Sequence, residues 1–162
     1  MQAFHLAFCD EHNVQLIIKN TSDSEVLRNR IYDILSDCRK FINIEYRDIR
    51  YPFEQIRDLY SESHVLCSVF RHSGHGMPIG EAACCNCLPF IGNFPPSQSL
   101  INNNCGYLID PKKEVLIEDK INEIRNFGLT DCFSGLEFPE RPRFYDYNIY
   151  DYRDSLLDLY NN

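Results

Sequence analysis

The residues best equipped for chemistry lie together between Ser68 and Gly92, in the stretch SVFRHSGHGMPIGEAACCNCLPFIG. Gly74 and Gly76 flank His75 just before Met77 and Pro78. Proline suits a first helical turn, where its missing N–H forfeits no hydrogen bond. A helix opening there presents unpaired N–H groups, and glycine lets a ligand approach the backbone; together these make an anion site. Glu81 falls about one turn further on, where its carboxylate can accept hydrogen bonds from sugar hydroxyls. The glycines alone are common in loops between strands and helices. The same stretch holds a second set of chemically capable residues. His72 and His75, with Cys84, Cys85 and Cys87, are the residue types of a zinc site. The C-C-x-C spacing, however, is not that of a C-x-x-C knuckle.

Strands and helices must position this loop, and their alternation is readable. Gln2 to His12 reads as the end of a helix. Val14 to Ile18 (VQLII) is a continuous β-prone run of the buried kind. Ser24 to Cys38 places Val26, Leu27, Ile31, Ile34 and Leu35 at helical spacing, after a turn rich in Asn, Thr, Ser and Asp. Phe41 to Tyr46 is a strand. Pro52 starts a helix with Phe53, Ile56, Leu59 and Tyr60 on one face. His64 to Phe70 is a strand, Met77 to Asn86 a short helix and Leu88 to Ile91 a strand. Pro96 to Asn102 is a short helix, Gly106 to Ile109 a strand and Glu114 to Phe127 an amphipathic helix. The pattern breaks from Phe133 to Arg143, and an aromatic-rich helix spans Tyr147 to Tyr160. This order predicts an α/β fold of Rossmann-like type, three α/β/α layers around a mostly parallel sheet. Ligands of such sheets sit at the carboxyl ends of the strands, so the loops after Ile18, Tyr46, Phe70 and Ile91 matter most.

The bulk numbers narrow the function classes. A chain of 162 residues carrying net charge −8 does not suit phosphate-neutralising nucleic-acid binding. No apolar run is long enough to span a membrane. The first residues lack the pattern of a signal peptide, so a cytoplasmic, reduced protein is expected, its eight cysteines unpaired.

The segment from Ser73 to Pro89 resembles the E-G-F-G-x-P-x-x-E-A-x-A-C-G-x-P loop and helix of retaining glycosyltransferases with the GT-B fold, glycosyl transferases group 1. The blocks VQLIIK, FEQIRDLYSESHVLCSVF, SLINNNCGYLIDP and DYRDSLLDLY also resemble, in order, the donor-binding half of that architecture. The resemblance covers roughly Gln2 to Asp110 and the final helix. It implies that Glu81 binds the ribose diol and that the loop Gly74, His75, Gly76, Met77 faces the diphosphate or the sugar. It implies that Lys19 stabilises the diphosphate leaving group, with Arg71 a candidate partner, and that the Arg47 to Ile49 loop lies beside the base. Ser73 stands where the family's first glutamate contacts the donor sugar, and Ser99 where the family has another acid. Asn86 replaces the family glycine after the helix; asparagine is the next best residue for a left-handed backbone.

The resemblance thus implies a donor-binding domain over residues 1–132, whose first strand is not recognisable, and an irregular segment with a closing helix over 133–162. The donor would be a UDP-, GDP- or ADP-sugar, with no metal or other cofactor. Half of a cleft enzyme cannot exclude water or seat an acceptor, so glycosyl transfer would need an acceptor domain from elsewhere. The closing helix could meet that separate chain or a second copy. The alternative is a non-catalytic nucleotide-sugar-binding or scaffolding module. A dinucleotide oxidoreductase is disfavoured, because no G-x-G-x-x-G follows a first strand.

Overall fold

A computed structural model describes residues 1–11, 13–21, 23–38, 43–68, 76–93, 95–101, 105–116 and 143–162. The chain is α/β, with short parallel strands in open sheets, and divides into two units.

The first unit draws on residues 1–50 and 149–162 among those described. It holds helix α1 (Gln2–Phe8), strand β1 (Gln15–Asn20), helix α2 (Glu25–Cys38), strand β2 (Asn43–Asp48) and a last helix, α6 (Ile149–Asn161). β1 and β2 pair in parallel, Leu16 opposite Ile44 and Lys19 opposite Arg47. Strand residues alternate faces. Asn20, Tyr46 and Asp48 therefore share one face, and Asn20 Nδ2 donates to Tyr46 Oη and Asp48 Oδ1, each at 3.1 Å. Asp48 in turn accepts from Arg28 of α2 at 2.5 Å, and the rings of Tyr32 and Tyr46 meet edge to face. α2 begins where Ser24 Oγ accepts from the Leu27 N–H at 3.3 Å, an N-cap. Its Ile31 and Leu35, one turn apart, are buried. α1 and α6 pack through buried Phe8, whose ring meets Tyr160 at 5.4 Å.

The second unit draws on residues 51–116 and 143–148 among those described. It holds α3 (Phe53–Glu62), β3 (Val65–Ser68), α4 (Met77–Cys84), β4 (Leu88–Gly92), α5 (Pro95–Leu100), β5 (Tyr107–Ile109), β6 (Lys113–Leu116) and β7 (Arg143–Asp146). β4 is the middle of a parallel sheet ordered β3-β4-β5. Pro89, Phe90, Ile91 and Gly92 are all buried, as a strand covered on both faces requires. Pro89 is tolerated there because the ladder to β5 begins only at Phe90. The Leu88 N–H serves the other side, bonding His64 O at 2.9 Å, so Pro89 lacks a donor only where no neighbouring strand asks for one. α4 lays Ile79 and Ala82 on the sheet, and Ile79, Ile91 and Ile101 form the core with Leu108 against it. At the end of β4, any Cβ on Gly92 would collide with Tyr147 Oη, so the tyrosine ring needs glycine beneath it.

The expected α/β class with parallel strands holds, the described parallel strands pairing as a two-stranded and a three-stranded sheet. Other expectations need correction. Residues 114–116, read as the start of a helix, are strand β6, paired antiparallel with β7, which the sequence reading did not contain; residues 117–127 lie outside the described set. Phe53 does not share the inner face of α3: it is 70% exposed, whereas Ile56, Leu59 and Tyr60 are half-buried. No helix among the described residues is long and apolar enough to cross a membrane.

Candidate functional site

The candidate site is the start of α4. Ser73, Gly74 and His75, with Arg71 and His72, lie outside the described residues. The structure takes up the loop at Gly76, which is buried and adopts φ 62°, ψ 31° as the N-cap of α4. An N-cap residue usually has extended dihedrals. A left-handed one is open to glycine at little cost and strains any residue with a Cβ. Space enforces the same choice, since a Cβ here would stand 2.8 Å from Leu100 Cδ1. Among the described residues no side chain caps the helix, and Pro78 occupies its first turn. Gly76 O accepts from Ile79 N at 2.9 Å, closing that turn. Met77 is 66% exposed at the helix start. Glu81, one turn on, is half-buried on the side of Tyr60 of α3. Burial first, and then the Glu81 charge, push the Tyr60 hydroxyl up from its ordinary pKa. Gly80, beside Glu81, has open space where a Cβ would be.

The far end of α4 is closed by its own backbone. Asn86 takes φ 60°, left-handed, and the Cys87 N–H reaches back to Ala82 O at 3.0 Å while Asn86 N–H bonds Ala83 O at 3.2 Å. This pair of bonds is a Schellman motif, with asparagine at the position usually held by glycine.

Two other sequence-predicted residues lie in the first unit. Lys19 and Arg47 are register partners in β1 and β2 and so share a face. Arg47 belongs to the strand rather than to the loop after it, because β2 runs through Asp48; the loop begins at Ile49. Its guanidinium grips Glu45 through two bonds, Nε–Oε1 at 2.7 Å and Nη2–Oε2 at 2.9 Å, and that hydrogen bonding holds the Glu45 carboxyl below its usual pKa. Desolvation lowers the pKa of Lys19 from its ordinary value.

Sequence reasoning missed a polar chain at the carboxyl ends of β4 and β5. Asn93 Nδ2 donates to Asp110 Oδ1 at 2.6 Å, and Gln98 Nε2 donates to Asn93 Oδ1 at 2.8 Å. Below it, buried Ser97 donates its hydroxyl to Gly92 O at 2.6 Å. The loop after Ile91 was the one signal that pointed here; the partners come from separate elements. Among the described residues no group of three or more His, Cys, Asp or Glu side chains is disposed to hold a metal. Cys9, Cys67, Cys84, Cys85, Cys87 and Cys105 take part in no disulfide.

No family model matches this chain, and no curated protein matches it.

Proposed function

We propose that the chain is a donor-binding domain of the GT-B glycosyltransferase kind. It takes a nucleoside diphosphate sugar at the start of α4 and acts in glycosyl transfer when an acceptor domain completes the cleft. The observation that supports this reading is the left-handed turn at Gly76. It opens a helix that no described side chain caps, with Glu81 following within one turn, beside a parallel sheet. Such a start offers amide dipoles to phosphate, and a carboxylate one turn away suits a ribose diol. Ser73, Lys19 and Arg47 enter the proposal on the sequence resemblance.

A thermal-shift titration with UDP, GDP and ADP tests it. One of the three should raise the melting temperature, and Glu81→Gln should remove most of that rise. Failure of all three nucleotides to shift the transition would overturn the reading. Serine at positions 73 and 99, where the resembling family has acids, favours a second reading, a binding module without transferase activity. Nucleotide binding that survives when no sugar nucleotide is ever consumed, even with an acceptor domain supplied, would select it.

A further inference from the structure

A hollow of about 520 Å³ lies at the other end of α4, where the carboxyl-terminal turns of α3 and α4 come together. Its walls include Arg57, Glu62 and His64 from the α3 side and Cys84, Cys85 and Asn86 from the α4 side. It is separate from the proposed nucleotide site and does not depend on it.

The two thiols of the hollow differ from the rest of the cysteine cluster. Cys87 is fully buried, and burial pushes its thiol up to about 11, so it stays protonated and inert. Cys84 is exposed, while Cys85 is half-buried inside the hollow. Arg57 is held chiefly by its hydrogen bond to Asp58, but Cys85 is near enough for its charge to act on the guanidinium too. Two last-turn carbonyls of α4 that would repel an anion here are already bonded: Ala82 O and Ala83 O accept from Cys87 and Asn86. The hollow therefore joins the Cys84 and Cys85 thiols to one cationic side chain, one carboxylate and an imidazole.

We infer that this hollow is a thiol-modification site at which Cys85 forms a mixed disulfide with a small peptide disulfide bearing carboxylates and an ammonium, of the glutathione type. Arg57 and His64 face the carboxylates of such a molecule, and Glu62 faces its ammonium. In the exchange, the Cys85 sulfur attacks one sulfur of the disulfide. The old S–S bond breaks, a new one forms to Cys85, and the departing thiolate takes up the proton that Cys85 releases. Cys85 is oxidised and the departing sulfur reduced, so the small disulfide is the only oxidant required.

The test treats the reduced full-length chain with glutathione disulfide and follows each cysteine by peptide mass mapping. Cys85 should react first, ahead of the exposed thiols of Cys67, Cys84 and Cys105. Arg57→Gln should slow Cys85 by about fivefold, the worth of one exposed Arg–carboxylate pair, and leave the Cys105 rate unchanged as a check on folding. With the uncharged bis(2-hydroxyethyl) disulfide, Arg57→Gln should change little. Reaction in order of exposure, with Cys84, Cys67 and Cys105 ahead, would overturn the site. Equal slowing by Arg57→Gln with both disulfides would overturn the recognition of a charged peptide.

Discussion

The two ends of α4 are built on opposite plans. Each turns on a left-handed residue, Gly76 at one end and Asn86 at the other. At the carboxyl end the backbone satisfies itself, through the bonds of Cys87 and Asn86 to Ala82 and Ala83. At the amino end no side chain among the described residues caps the helix, and an exposed Met77 follows the turn. A helix end that folding completes needs no ligand. One that folding leaves uncapped has orphan donors to offer. The difference teaches that the left-handed turn serves closure in one place and access in the other.

Substitutions can break that contrast. The largest effect is expected for Gly76→Ala. A left-handed alanine costs about 1–2 kcal/mol, and the added methyl must also displace Leu100 Cδ1 from 2.8 Å. Denaturant unfolding should show the loss, and nucleotide-dependent stabilisation should fall with it. Unchanged stability would mean that Gly76 does not need its left-handed turn. Next comes Asn86→Ala, expected to destabilise by about 1 kcal/mol, since alanine lacks asparagine's tolerance of that region. Asn86→Gly should instead be neutral or mildly stabilising. If both changes cost the same, the Schellman turn is not what the position is for.

Smaller still is Gly80→Ala, expected to stabilise by about 0.5–1 kcal/mol, because a helical glycine wastes conformational entropy and nothing stands within 4 Å of the new methyl. The sharper readout is binding: if stability rises while nucleotide affinity drops, the space over Gly80 is occupied in the complex. A change read in the slope with pH comes from Cys87. Its thiol rises from 9.0 to about 11 on folding. Its contribution is therefore fully present below pH 9.0 and is lost as the pH climbs toward about 11. Cys87→Ala should flatten that part of the stability–pH curve relative to the parent chain; identical slopes would show that Cys87 does not titrate on unfolding.

Local signals carried most of the fold. The runs around Leu16–Ile18 and Pro89–Ile91 are β-prone and apolar, and Ile31 and Leu35 stand one turn apart, so each announced its element without help from distant residues. Strands β6 and β7 were hidden for the converse reason. Val115 and Leu116 sit in a stretch whose charges also fit a helical period, and what makes them strand is pairing with Arg143 and Phe144, far along the chain. Register across such a gap leaves no trace in a local window. Arg47 was misread as loop because Arg and Asp are weak strand formers, yet parallel pairing with Lys19 and Asn20 carries β2 through Asp48. At the candidate site, the proline and the glycine at the head of α4 were legible. The link of Glu81 to Tyr60 and the chain Gln98–Asn93–Asp110 were not, because each joins residues whose proximity only the fold creates.

The contact between Phe8 and Tyr160 has a consequence for the order of events during synthesis. The helix that Phe8 belongs to is synthesised well before its partner helix, with both sheets of parallel strands between them in sequence. The first unit must therefore wait for Tyr160 before α1 can bury its aromatic face. The strands β3, β4 and β5 span only residues 65–109 and can assemble while translation continues. Until α6 is made, the aromatic face of α1 lacks the Tyr160 ring that Phe8 meets in the folded unit.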